Sequence, residues 1–172
     1  MNKYPLSTRI IHWISALIIV SLFVSGWFMV DLDYYSSWYQ TLPDLHQIFG
    51  LALLFLWLYK ILRLFWIKQP KTLETLKPYE KFTATVVKLF FYVLVLVLCS
   101  TGYFMSTAGD QHALLGWLTL PSLWLFESEA LDMLGNTHRY MAYTIIVLML
   151  LHLLAALKHH FYNKDATLRR MI

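Results

Sequence analysis

The chain has 172 residues, 59% hydrophobic and 14% charged, with a formal net charge of +4. Soluble domains carry about 25% charged residues, so a water-solvated globule is excluded and a single lipid-solvated bundle is expected. One cysteine, Cys99, excludes an internal disulfide and any two-cysteine motif.

Four apolar segments follow in order, at about residues 10–30, 45–66, 82–106 and 138–161. Each supplies the ~20 helical residues that cross a hydrocarbon core of ~30 Å. None alternates like a barrel strand, and lipid-exposed backbone must satisfy its own hydrogen bonds. The expected fold is an all-α membrane protein, a four-transmembrane-helix bundle. Its helices are expected at about 7–30, 43–67, 80–107 and 136–162, in one domain spanning 1–172. Lys3 and Arg9 resemble the start of a signal peptide. The apolar run after them is too long, and no small-x-small site follows, so helix 1 is expected to stay.

The connections differ in character. Residues 31–44 are short and aromatic-rich, and about 68–81 are polar and basic. The third connection, 107–137, holds an apolar stretch at 113–126 broken by Pro121. That stretch is too short to span, so an interfacial or re-entrant segment is expected. Thirteen of the fourteen basic residues fall on the side of the termini. Arg139 is alone on the other side, with Asp31, Asp33, Asp44, Asp110, Glu127, Glu129 and Asp132. The positive-inside rule makes both termini cytoplasmic. The basic balance then reflects topology and lipid headgroups, with no nucleic acid implied.

Seven histidines occur: His12, His46, His112, His138, His152, His159 and His160. Ionisable residues inside spans point to function. His138 and His152 are fourteen residues apart, 40° short of four turns, so they share a face ~21 Å apart along the axis. By depth, His46 matches His138 on the outer side and His12 matches His152 on the inner side. Two imidazoles facing across a bundle can hold a haem iron by both axial positions, which suits electron transfer rather than oxygen chemistry. Two such pairs would hold two haem b groups; the alternative is that the histidines are interhelical hydrogen-bond partners. Zinc, which takes four close ligands, fits this arrangement less well.

His159 extends the same face and is a candidate proton donor to a quinone, or a solvated interfacial histidine. His112 has no assigned role. Lys60 lies fourteen residues after His46, at the inner level, with Arg63 one turn on. Either cation could meet a haem propionate or snorkel to the interface. Gly50, four residues after His46, is the best candidate for haem clearance. Gly26, Gly102 and Gly135 are either clearance or helix-packing glycines.

Tyr4, His12-Trp13, His46-x-x-x-Gly50, His138 and His152 together resemble the bacterial cytochrome b561 family. The tail, His159-His160-Phe161-Tyr162-x-Lys164-Asp165-x-Thr167-Leu168-x-Arg170-Met171, most closely resembles that of its superoxide-oxidising member. The resemblance implies a multi-pass protein of the bacterial inner membrane with two b haems on His12, His46, His138 and His152. It implies ubiquinone bound near His159 on the cytoplasmic side, with superoxide giving electrons at the periplasmic face. The acidic outer face favours a second reading, a non-enzymatic subunit linking quinone to a basic periplasmic redox protein. The sequence shows no nucleophile triad, phosphate loop or nicotinamide fingerprint.

Overall fold

The computed structural model describes residues 3–67, 70, 72–108 and 113–172. Lys68, Lys71, Asp110 and His112 therefore lie outside the described residues. Four helices follow in order: α1 Leu6–Met29, α2 Thr41–Arg63, α3 Pro78–Ser106 and α4 Ser128–Phe161. Each is long and apolar enough to cross a membrane. Among the described residues there is no strand, only an isolated bridge between Leu114 and Leu118. The helices pack α1 on α2, α2 on α3 and α3 on α4, with a smaller contact between α4 and α1. Large apolar side chains such as Leu17, Phe55, Leu89 and Leu154 stay exposed on the bundle's outside, as lipid contact requires.

A spacing of seven residues organises the interior. Seven residues fall 20° short of two helical turns and rise ~10 Å, so such positions share a face. Three of the helices carry this spacing: His12, Ile19 and Gly26 on α1; His46, Leu53 and Lys60 on α2; His138, Ile145 and His152 on α4. On α3, Leu94 and Val95 precede Thr101 and Gly102 by seven. Ile19, Leu53, Leu94, Val95 and Ile145, with Trp57, form the buried core in the middle of the bundle. An apolar layer therefore separates two histidine-bearing levels. We call them the terminal level, on the side of both chain ends, and the distal level.

The helix ends depart from simple hydropathy. α4 begins at Ser128 rather than at 136. Its first turns, Ser128 to Leu134, are good helix formers with Glu129 near the positive end of the helix dipole, so the helix outruns its apolar span. α2 closes at Arg63 rather than at 67, where the Leu64 N–H turns back to the Ile61 carbonyl at 3.0 Å. Lys60 and Arg63 in its last turn complement the dipole. At the start of α3, Glu80 reaches back to accept the Lys77 N–H at 2.9 Å.

Among the described residues, 113–127 of the third connection form neither a helix nor a span. Leu115 and Gly116 both have positive φ, 49° and 79°, and make a tight turn bridged by the Leu114 N–H to the Leu118 carbonyl at 2.8 Å. Leu114 is buried, and the Leu115 N–H donates to the buried Asp44 carboxylate at 2.8 Å. Asp44, in the first turn of α2, thus pins this connection across the distal end. From there the chain runs extended past Pro121, whose carbonyl accepts the Tyr103 hydroxyl at 2.7 Å. Leu123, Trp124 and Leu125 along it are exposed, as an interfacial segment would be.

Candidate functional site

The distal level brings His46 of α2 to His138 of α4, with ring centroids 6.2 Å apart and planes at 63°. The terminal level brings His12 of α1 to His152 of α4, at 6.3 Å and 64°. Two metal–nitrogen bonds of about 2 Å, each with a ring radius of roughly 1 Å, span about 6 Å. Both pairs therefore stand at the separation that the two axial imidazoles of one iron require. Among the described residues no three His, Cys, Asp or Glu side chains cluster as for a bare metal ion.

The distal rings are held by the same device on two different helices. Ser25 Oγ of α1 lies 3.0 Å from His46 Nδ1, and Thr101 Oγ1 of α3 lies 3.0 Å from His138 Nδ1. Each hydroxyl donates to a carbonyl of its own helix, Ser25 to Leu22 at 3.0 Å and Thr101 to Leu98 at 3.1 Å. Each ring bonds that same carbonyl's residue as well, Leu22 for His46 and Leu98 for His138. With the hydroxyl proton already committed, the hydroxyl oxygen accepts from the imidazole. Nδ1 then carries the proton, and the Nε2 lone pair is left for a metal.

The residue after each hydroxyl is glycine. A Cβ on Gly26 would stand 3.2 Å from His46 Cε1, and one on Gly102 would stand 3.2 Å from His138 Cε1. These two glycines give clearance to the histidine rings themselves. Gly50 is different: a Cβ there meets no atom within 4 Å, and the residue lines the distal cavity. That cavity, about 940 Å³, is walled by His46, His138, Leu22, Leu53, Val95 and Gly50. Its size and apolar walls suit a large planar cofactor. Cys99 on α3 faces the Gly50 carbonyl at 3.7 Å.

The terminal level has other surroundings. Lys60 Nζ sits 4.0 Å from the Trp57 ring centre and 5.3 Å from that of Tyr92. Its charge acts on both His12 and His152. Arg63, 6% exposed, donates to Ser7 Oγ at 2.7 Å and Thr8 Oγ1 at 3.3 Å, which fixes the start of α1 one turn before His12. The Nε atoms of Arg9 and Arg63 and Nε1 of Trp57 are buried donors without an acceptor among the described residues. A carboxylate-bearing cofactor fits such a donor set. Lys88 of α3, by contrast, is exposed.

Beyond this level the tail folds back over the bundle. The Tyr4 N–H bonds the Arg170 carbonyl at 3.1 Å, and Trp13 Nε1 bonds that of Met171 at 3.0 Å. His159 Nδ1 lies 2.6 Å from Asp165 Oδ2, both side chains nearly buried. Burial alone would raise the Asp165 pKa. The Thr167 N–H at 2.8 Å and the His159 bond outweigh it and hold the carboxyl below its ordinary 3.8. A depressed carboxyl stabilises the fold above its unfolded pKa and loses that contribution as pH falls through the folded value. Protection of the amides at residues 165–171, measured relative to the intrinsic exchange rate at each pH, is accordingly expected to be high at pH 6 and to fall below about pH 4. Asp165→Asn should weaken this pH dependence.

A family model described as "Prokaryotic cytochrome b561" matches residues 3–172. The chain belongs to the prokaryotic cytochrome b561 family. It is therefore a multi-pass bacterial membrane protein of a family of transmembrane haem-b electron-transfer proteins. It is 33% identical over 175 residues to "Cytochrome b561 homolog 2" of Escherichia coli, covering 99% of this chain and 92% of that one. It is 27% identical over 181 residues to "Cytochrome b561 homolog 1" of the same organism, covering 100% and 98%. In this b561 chain the reading of the residues missed Ser25 and Thr101. The signal was present: a hydroxyl residue directly before glycine occurs on α1 and again on α3.

Proposed function

We propose that the chain holds two haem b groups, one on His46 and His138 and one on His12 and His152. On this reading it passes electrons from the periplasmic face to ubiquinone at the cytoplasmic face, most favourably by oxidising superoxide. The observation that carries it is the equal separation of the two histidine pairs, 6.2 and 6.3 Å, either side of one apolar layer. Bound haem would supply a one-electron redox centre at each level, with no open position on iron.

The excess of basic residues on the side of the termini supports cytoplasmic ends and a place in the inner membrane. The terminal level is then cytoplasmic and the distal level periplasmic. Gly50 leaves room for a porphyrin at the distal level, and the buried Nε of Arg63 offers a donor to a propionate at the terminal one. Arg139, beside His138 on the cavity wall, offers a small anion a cationic approach.

At the cytoplasmic end, His159 is the candidate quinone contact. Asp165 holds the imidazole through Nδ1, which turns Nε2 into the atom that takes and gives a proton. Two superoxide ions would become two oxygen molecules, and one quinone with two electrons and two protons would become quinol. His159→Gln is expected to lower quinone reduction by about 10²-fold, while reduction of haem by superoxide stays unchanged in stopped-flow absorbance. The decisive assay for the whole reaction is superoxide-driven quinol formation by the purified protein. Failure of superoxide to reduce the haem, at low and at high salt, would exclude this enzyme reading.

A second reading rests on an acidic concavity of about 760 Å³ beside the distal cavity, walled by Glu127, Glu129 and Asp132 at the start of α4. That surface suits a basic redox protein as the periplasmic partner. Exchange of electrons with such a partner should then slow as ionic strength rises, and salt-independent exchange would exclude it.

A further inference from the structure

The two levels hold equivalent histidine pairs in opposite electrostatic settings. At the terminal level, position seven after Leu53 is Lys60, on the inward face of α2. Its ammonium lies against the Trp57 ring at 4.0 Å, half-buried, and is felt at both His12 and His152. Among the described residues no carboxylate acts on either ring. At the distal level the position seven after Ile19 is Gly26, and those seven after Leu94 and Val95 are Thr101 and Gly102; these small residues face the rings there. The charged groups on the distal cavity wall are Asp31, Asp132 and Arg139, which leave a negative remainder.

Charge and hydrogen bonding both bear on a redox centre. Reduction adds one negative charge, so a fixed cation nearby favours the reduced state, and a low-dielectric setting magnifies the effect. An imidazole whose Nδ1–H is hydrogen-bonded becomes a more basic ligand and favours the oxidised state. Lys60 acts the first way on the terminal pair. The Ser25–Leu22 and Thr101–Leu98 contacts act the second way on the distal pair. Both effects push in the same direction.

We infer that Lys60 makes the His12/His152 level the higher-potential site, so that the protein rectifies electron flow from the distal to the terminal side. This rests on the two-haem reading above. The step moves one electron from the distal to the terminal level, with no bond made and no proton moved. A one-electron donor at the distal face resupplies it, and a quinone at the terminal face removes it. Lys60 touches neither reactant, so it is a positioning residue for charge rather than a catalytic one.

The test is a redox titration of purified full-length protein by absorbance, on the wild type, Lys60→Met and Lys60→Arg, with haem content read by pyridine haemochrome. Two midpoints are expected. In Lys60→Met the upper one should fall, so that the reduced-to-oxidised ratio at a fixed potential drops about tenfold, equivalent to 59 mV for one electron. The lower midpoint should stay in place, and Lys60→Arg should restore the upper one. His46→Ala, which retains only the terminal haem on the same reading, should keep the upper midpoint. Retention of the lower midpoint in His46→Ala, or an unmoved upper midpoint in a haem-replete Lys60→Met, would overturn the inference. If His46→Ala is recovered without haem, the two-haem Lys60 titration decides alone. If the wild type holds fewer than two haems, the two-haem reading fails, a result distinct from two haems in the wrong order.

Discussion

His46→Ala or His138→Ala is expected to leave one haem b per chain where the wild type is expected to hold two, and His12→Ala or His152→Ala should remove the other. The expectation follows from how the levels are built. Each pair draws one ring from α4 and one from a different helix, α2 at the distal level and α1 at the terminal level. Fourteen residues of α4 separate the two, ~21 Å of helix. Between them Ile19, Leu53, Leu94, Val95 and Ile145 pack without any polar group of the sites. Sites that far apart with no shared partner respond independently. A four-helix core that stays packed can therefore lose one cofactor and keep the other. Pyridine haemochrome on each purified variant reads the ratio. Loss of both haems from every variant would show that the levels are not separate.

Gly26→Val and Gly102→Val are expected to abolish the distal haem while the terminal haem stays. A single Cβ already stands 3.2 Å from the imidazole carbon, tighter than ordinary contact. The ring has little freedom to yield, because its Nδ1 is held at 3.0 Å by the residue just before the glycine. Valine adds two methyl groups to that already tight Cβ. Alanine is the graded case: a shift of a few tenths of an ångström in the ring should lower haem affinity by about 10–100-fold, the usual effect of disturbing a ligand's support. The terminal haem in the same molecule is the internal control. Full occupancy at both levels in Gly102→Val would mean that the close approach has no bearing on the ligand.

The helices, their number and the depth matching of the histidines were legible because a lipid environment leaves one dominant signal, long apolar runs broken by charge. The fourteen-residue spacing of His138 and His152 placed two rings on one face before any packing was known. The supports of those rings were harder to read. A serine or threonine inside a helix ordinarily bonds its own i−3 or i−4 carbonyl, and Ser25 and Thr101 do this too. Their second contact depends on the register between helices, which hydropathy does not encode. For the same reason Gly26 and Gly102 read equally well as packing glycines. Depth alone left Arg63 between a propionate contact and the interface; packing adds that its terminal nitrogen reaches Ser7 and Thr8 of α1 while its Nε has no acceptor among the described residues. Asp44 counted only as one more outer acid until the turn at Leu115 closed over it.

The central claim is that each histidine pair grips one iron by both axial positions. Low-temperature electron paramagnetic resonance of the oxidised, purified protein, integrated against chain concentration, tests it most directly. Two low-spin ferric centres per chain are expected, since six-coordinate iron with two imidazoles has no open position. A single centre per chain, or a high-spin signal from either level, would contradict it.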